Sequence, residues 1–416
     1  MLKKLKRLGV IIMAAALLAT TGCDGSNEVK DPQKGQENNT QLLTESPLMN
    51  TYKLLTNEKK LTIGYIGGSI TLGASAGDVR KSWSHLVSGW FSEQFPEATI
   101  ETINAGVSDT ATNFGIYRLE KDLMNTNGHD MPDLVFVEFT SNDFVYASQG
   151  EEELKLQIES IILNVWKYNP NAEIIAVSTN TGNFISRTLY KSVFEYYNLP
   201  FIDVGYPLRK AMREKKTDTE GSAFYYTTDN LHPSARGYEV YLGEIVEALK
   251  PLITNLAPKD KELTEYSKTK PETLSKNLIL TPNIVIADKL KLAGAAQLTD
   301  KPITLSQFGT QIVRTGSEFT PSSVQLSGKS TVTAEFSGTA LGIATQLGEV
   351  GFEMRWKVDD GEWKEFAVNA KSWAFQRYNH AQVFMMEHNL SEGKHTVVIE
   401  FTENTNIRLG GLLVNN

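Results

Sequence analysis

Two different spacings of apolar residues divide this chain and limit the folds open to it. Between residues 52 and 255, short strand candidates at 61–66, 99–104, 134–139, 174–178 and 201–204 alternate with stretches whose apolar residues recur every three or four positions. The former read as buried strands and the latter as amphipathic helices. Trp83, Leu86, Val87, Trp90 and Phe91 form one helical stripe. Phe114, Tyr117, Leu119 and Leu123 form a looser one. Leu154, Ile158, Ile161, Ile162, Val165 and Trp166 form the clearest. A last helix is expected over 235–252, after Pro233 and Ser234. Strands alternating with helices predict a parallel sheet covered on both faces. From residue 278 the period becomes two. Phe352, Met354, Trp356 and Val358 alternate with Glu353, Arg355 and Lys357, and 331–336 and 395–401 are further strand candidates. Asp359-Asp360-Gly361-Glu362 signals a hairpin turn. This part predicts a β-sandwich of about 140 residues.

A chain of 416 residues suggests two or three domains. Its net charge of −8 argues against nucleic-acid binding, which needs a basic surface. Lys3, Lys4, Lys6 and Arg7 precede an apolar run at 10–19 and then Thr20-Thr21-Gly22-Cys23. This is the layout of an export signal, and the run is too short for a spanning helix. Gly22-Cys23 resembles the cleavage site of a bacterial lipoprotein, although Thr20 stands where such signals often carry leucine. The resemblance implies that Cys23 is lipidated and that the protein is held at an extracytoplasmic membrane face. A plainly secreted protein with an incidental cysteine is the alternative. Cys23 is the only cysteine, so neither a disulfide nor a catalytic thiol is expected in the folded domains. The expected layout is a signal peptide at 1–22, a polar tether at 23–50, an α/β domain at 51–255, a Lys-, Glu-, Thr- and Pro-rich linker at 256–275 and the sandwich at 276–416.

The first strand ends in Gly67-Gly68-Ser69. A serine there projects from the carboxyl edge of a parallel sheet, where open α/β folds keep their sites. Serine needs a base to become a nucleophile. Of six histidines, His232 stands in D-N-L-H-P-S, on a loop just before the last helix, with Asp229 three residues earlier. One turn brings that carboxylate to the imidazole Nδ1, the arrangement of a serine–histidine–aspartate relay. Alone, Asp-x-x-His also reads as a turn with a helix cap. Asn104-Ala105-Gly106 follows the second strand and Thr140-Ser141-Asn142-Asp143 the third. The Gly106 N–H, the Asn142 amide and the Ser69 N–H are candidate donors to an oxyanion.

Ser69, Gly106, Asn142 and the Asp229/His232 pair, in this order on these strand ends, resemble the SGNH hydrolases, a subgroup of the GDSL esterase/lipase family. The resemblance covers residues 58–253. It implies a flavodoxin-like three-layer α/β/α fold and a serine esterase needing no cofactor and no metal; the all-β sandwich expected after it, from its alternating pattern, is jelly-roll-like. It further implies Ser69 as nucleophile, His232 as base, Asp229 as its partner, and Ser69, Gly106 and Asn142 as the oxyanion hole. Gly68 departs from the acidic residue usual before the serine, and Thr140 from the glycine that usually opens the asparagine block.

Family members cleave acetyl groups from polysaccharides, lipid esters, thioesters and small esters. The export signal and the C-terminal module favour an acylated carbohydrate. The motifs F-S-G-T-A-L-G at 336–342, W-K-V-D-D-G-E-W at 356–363 and L-S-E-G-K-H-T-V at 390–397 look like the sandwich that accompanies some carbohydrate acetylesterases. There the sandwich precedes the catalytic domain. Here it follows. Trp363 and Trp373 are candidates for sugar stacking, whereas Trp356 lies on an alternating apolar face and is expected in the core. Three functions compete: a surface-anchored carbohydrate O-acetyl esterase, a polysaccharide O-acetyltransferase using the same acyl-serine, and a glycan-binding lipoprotein on an inactive esterase fold.

Overall fold

The structure, a computed structural model, describes residues 47–126, 128–146, 150–179, 184–214, 225–254, 270–305, 318–347, 351–368 and 381–416. The signal segment 1–22, Cys23, most of the tether, most of the 256–275 linker and Trp373 lie outside the described residues.

Five parallel strands coincide with the five strand candidates: β1 (Lys60–Gly67), β2 (Thr99–Gly106), β3 (Leu134–Glu138), β4 (Glu173–Ser178) and β5 (Phe201–Asp203). Their order is β2-β1-β3-β4-β5. The chain leaves β1 toward one edge and returns on its other side, so the direction of winding reverses at β1. In such sheets the crevice lies outside the strand carboxyl ends at that reversal. Ser69, two residues after β1, stands there.

The helices in chain order are α1 (Met49–Lys53), α2 (Ser69–Leu72), α3 (Trp83–Gln94), α4 (Thr112–Leu119), α5 (Thr140–Tyr146), α6 (Glu151–Tyr168), α7 (Phe184–Tyr196), α8 (Gly205–Glu214) and α9 (Ala235–Thr254). The Glu173 carboxylate accepts the Asn50 and Thr51 N–H groups at 2.8 Å each and so caps α1, as an anion at a helix N-terminus should. On one sheet face Leu61, Ile63, Phe136 and Val177 pack with Trp83, Val87 and Phe91 of α3 and Tyr241, Ile245 and Leu249 of α9. On the other, Ile66, Val135 and Val137 pack with residues of α4, α6 and α7.

The C-terminal part is antiparallel. Its strands are β6 (Pro282–Ile286), β7 (Lys291–Thr299), β8 (Ile303–Thr304), β9 (Glu318–Thr320), β10 (Ser323–Ser337), β11 (Leu341–Gln346), β12 (Phe352–Val358), β13 (Lys364–Val368), β14 (Ala381–Glu387), β15 (Lys394–Phe401) and β16 (Asn406–Asn415). The order β13-β12-β15-β10-β16-β11-β14 forms its main path. β10 is longer than the predicted 331–336, because a register shift between Leu326 and Ser330 interrupts its alternation. Trp356 is buried, as its period implies, and donates its indole N–H to Glu387. Trp363 is exposed, but the Arg355 guanidinium covers its ring at 4.5 Å.

The two parts share a core, the closer of the two arrangements open to a module that either packs on the α/β domain or binds sugar. Ile343, Phe384, Leu412 and Val414 face the sandwich interior, while their neighbours Ala344, Val383, Met385 and Leu413 join the hydrophobic cluster of α4, α6 and α7. β11 and most of β14 and β16 are therefore buried on both faces. Polar side chains of α6 complete the junction. The Asn164 amide donates to the Ile279 carbonyl at 2.6 Å, and the Ser160 hydroxyl accepts the Ile279 N–H at 3.0 Å. The buried Glu159 carboxylate accepts the Leu274 N–H at 2.6 Å, the Ser275 N–H at 2.7 Å and the Tyr197 hydroxyl. Removing a carboxylate that satisfies several donors strands them all. Glu159→Ala should lower the unfolding free energy by about 3 kcal/mol in a urea titration.

Candidate active site

Ser69 is the first residue of α2, and its N–H lies in the turn where helical N–H groups have no intrahelical acceptor. α9 steadies the turn that follows: the Tyr238 hydroxyl donates to the Ala74 carbonyl at 2.8 Å. His232 arrives from the other end of the domain. Its loop is pinned by Thr228 N–H to the His232 carbonyl at 2.9 Å and Ser234 N–H to the Tyr226 carbonyl at 2.8 Å. Asn230 takes a left-handed φ of 67°, which closes the turn between Asp229 and His232. Asp229 Oδ1 accepts the His232 N–H at 2.7 Å and the Leu231 N–H at 3.0 Å.

These restraints join the three residues expected to form the relay. Ser69 Oγ lies 2.8 Å from His232 Nε2, and His232 Nδ1 lies 2.6 Å from Asp229 Oδ2. Ser69 and His232 are buried, while the Asp229 side chain is 43% exposed. Partial burial pushes the Asp229 pKa up, but the hydrogen bond and charge of His232 and two backbone N–H groups outweigh it and hold the value at about 2. Asp229 thus stays ionised at any ordinary assay pH and fixes the imidazole with Nε2 turned to serine. A second pair, His395 with Asp359 at 2.7 Å, lacks this capacity. His395 Nε2 donates to the Ser391 carbonyl at 2.8 Å, so neither ring nitrogen faces a nucleophile.

The Asn142 amide sits against Gly68. A Cβ on Gly68 would lie 2.6 Å from Asn142 Oδ1 and 2.8 Å from Nδ2. In this chain the asparagine amide thus occupies the space a side chain at 68 would need. Thr140, the other departure, accepts the Thr179 N–H on its hydroxyl at 3.0 Å and ties the ends of β3 and β4 together.

Gly106 stands differently from the sequence expectation. Its N–H donates to Asn104 Oδ1 at 2.8 Å, which occupies the donor offered to an oxyanion. Glycine is needed there for close approach, because a Cβ would lie 2.2 Å from the Leu72 backbone nitrogen. The same Asn104 donates to the Thr71 carbonyl at 2.9 Å, so this strand end braces the serine turn.

Sequence reasoning overlooked Glu138, a single acid closing the apolar run 134–139 and fully buried behind Ser69. Its carboxylate accepts the Thr71 hydroxyl at 2.8 Å and the Thr179 hydroxyl at 2.6 Å, and its backbone carbonyl accepts the Gly68 N–H at 3.2 Å. Burial pushes its pKa up to about 7, with the nearby Asp143 charge adding to the rise and these donors opposing it. Asp143, beside the asparagine, is buried too and accepts the Thr112 N–H and hydroxyl at 2.8 and 2.7 Å. A lone acid at the end of a buried strand was the available signal, since such a group needs partners to remain there.

The contact at Gly68 makes one expectation specific. In Gly68→Ala the new methyl must push the Asn142 amide aside, because the amide is the movable partner. Loss of one oxyanion donor costs about 10²–10³ in kcat. Steady-state kinetics should show a fall of that order, while the melting temperature stays close to wild type.

Residues 65–240 match the family model described as GDSL-like Lipase/Acylhydrolase. Among curated proteins no match is found. Among solved structures, the chain is similar to a two-domain esterase active on acetylated mannans, co-crystallized with mannopentaose. The two are 18% identical, the match covers 89% of this chain and 95% of that one, and the TM-score is 0.66. A second structure of a two-domain esterase active on acetylated mannans gives 19% identity, 89% and 96% coverage and the same TM-score of 0.66. At this identity the likeness is one of fold, and it spans both the α/β part and the sandwich. Residues 65–240 form a GDSL-like lipase/acylhydrolase domain, and the chain that carries it is a carboxylic ester hydrolase.

Proposed function

We propose that this chain is a serine esterase that removes O-acetyl groups from a polysaccharide through an acetyl-Ser69 intermediate. The observation that carries the reading is the continuous relay from Ser69 Oγ through His232 to Asp229, at 2.8 and 2.6 Å. Ser69 Oγ attacks the ester carbonyl as His232 Nε2 takes its proton. Charge develops on the carbonyl oxygen, where the Ser69 N–H and the Asn142 amide are the donors at hand. Collapse expels the sugar hydroxyl, which receives the proton from His232. Water then attacks the acetyl-serine with His232 again as base, and acetate leaves.

The carbohydrate class is supported by the fold shared with an esterase named for acetylated mannans. It is also supported by the export layout of the N-terminus. We further propose that Cys23 carries a lipid and holds the enzyme at an extracytoplasmic membrane surface. Cys23→Ser should move the chain from the membrane to the soluble fraction of an expressing bacterium. Unchanged partitioning would remove the anchor.

The function itself is tested by acetate release from acetylated mannan, with acetylated xylan alongside. Wild type should release acetate and Ser69→Ala should be slower by about 10⁴-fold or more. Equal release by both would take Ser69 out of the mechanism. Acetate transfer to added oligosaccharide in place of release would make the chain an acetyltransferase.

A further inference from the structure

The loop that follows β2 lies beside the nucleophile. Val107 N–H donates to the Gly67 carbonyl at 3.0 Å, which places residues 107–111 next to the strand end that carries Ser69. Within this loop Asp109 has φ 60°, in the left-handed region that a non-glycine residue adopts only at a cost. Such conformations persist where surrounding groups hold them, and they gather at functional sites. One holding group comes from the other half of the chain. The Gln382 side-chain amide, on β14 of the sandwich, donates to the Asp109 carbonyl at 2.6 Å. Gln382 is itself buried, and its backbone carbonyl accepts the Thr345 hydroxyl at 3.1 Å from the neighbouring strand β11, so the side chain projects from a fixed strand. On the α/β side, the Thr110 hydroxyl donates to the Val107 carbonyl at 2.9 Å and accepts from Arg118 at 3.3 Å. The buried Arg118 also donates to the Gly67 carbonyl at 2.9 Å and the Ala105 carbonyl at 2.5 Å. The loop is thus gripped from one side by the α/β domain and from the other by the sandwich.

We infer that Gln382 is a positioning residue of the esterase reaction: by holding the Asp109 carbonyl it keeps the left-handed turn at 109, and with it the 107–111 loop, in the shape that serves Ser69. Because a peptide group is planar, fixing the Asp109 carbonyl also fixes the Thr110 N–H. The sandwich therefore acts on catalysis through the α/β loop.

The inference rests on the esterase reading, so the assay uses 4-nitrophenyl acetate, a substrate too small to bridge the two halves of the protein. Gln382→Ala and the similarly sized Gln382→Met, which has no N–H or O–H to donate, are each expected to lower kcat about tenfold, with KM changed less than twofold. Their melting temperatures should stay near wild type. In an Asp109→Gly background, where the left-handed turn no longer needs holding, Gln382→Ala should cost less than threefold. Wild-type kcat in both Gln382 variants would overturn the inference. So would a fall in melting temperature with kcat per folded molecule unchanged. Failure of wild type to outpace Ser69→Ala on this ester is a separate result: it removes the serine-esterase reading, and the role of Gln382 with it.

Discussion

Space is the controlling constraint at the end of β1. Three loops meet there, and at three positions a side chain would have to displace a neighbour. A Cβ on Gly67 would meet Thr71 Oγ1 at 2.1 Å, one on Gly68 would meet Asn142 Oδ1 at 2.6 Å, and one on Gly106 would meet the Leu72 nitrogen at 2.2 Å. These absences bring the serine turn, the β2 loop and the asparagine loop into contact. The buried Glu138 then ties the serine turn to the β4 end through Thr71 and Thr179. The relay needs little more than a fixed approach for His232, and the pinned 226–234 loop provides one. The network is polar and buried, so each member depends on the others for its partners.

The sandwich is integral to the molecule. Its strands β11, β14 and β16 close its own interior with one face and extend the α/β core with the other. Apolar burial of this kind leaves little freedom between the two parts, and residues 47–416 form one compact unit. The buried polar groups of α6, Glu159, Ser160 and Asn164, satisfy the backbone of the incoming segment 274–279. A helix that would have a wet face in an isolated α/β domain is covered here on both sides.

Much of this was legible in the residues. The central strands β1, β3 and β4 appear as apolar runs, because strands buried on both faces carry few polar interruptions, whereas the edge strand β2 (T-I-E-T-I-N-A-G) is half exposed and alternates. The relay was legible because Asp229 and His232 are neighbours in sequence and Ser69 follows an obvious strand end. The rest depended on contacts between distant positions. The fold of β11, β14 and β16 was obscured because doubly buried strands do not alternate. The bond from Gly106 to Asn104 is a local choice of hydrogen-bond partner that a motif does not encode. Glu138 was visible as an acid in an apolar run, but its partners at 71 and 179 come from two other strand ends. Gln382 and Asp109 are separated by 273 residues, and only the shared core brings them together.

The central claim is that Ser69 carries the acyl group. Its most direct test is to mix the wild-type enzyme with excess 4-nitrophenyl acetate, quench in acid within one turnover, digest, and locate the acetyl group by mass spectrometry. The account predicts acetyl on the peptide containing Ser69, at the serine itself, and its disappearance once substrate is exhausted. Turnover with the acetyl group on another residue, or with no acetylated peptide at any quench time, would contradict it.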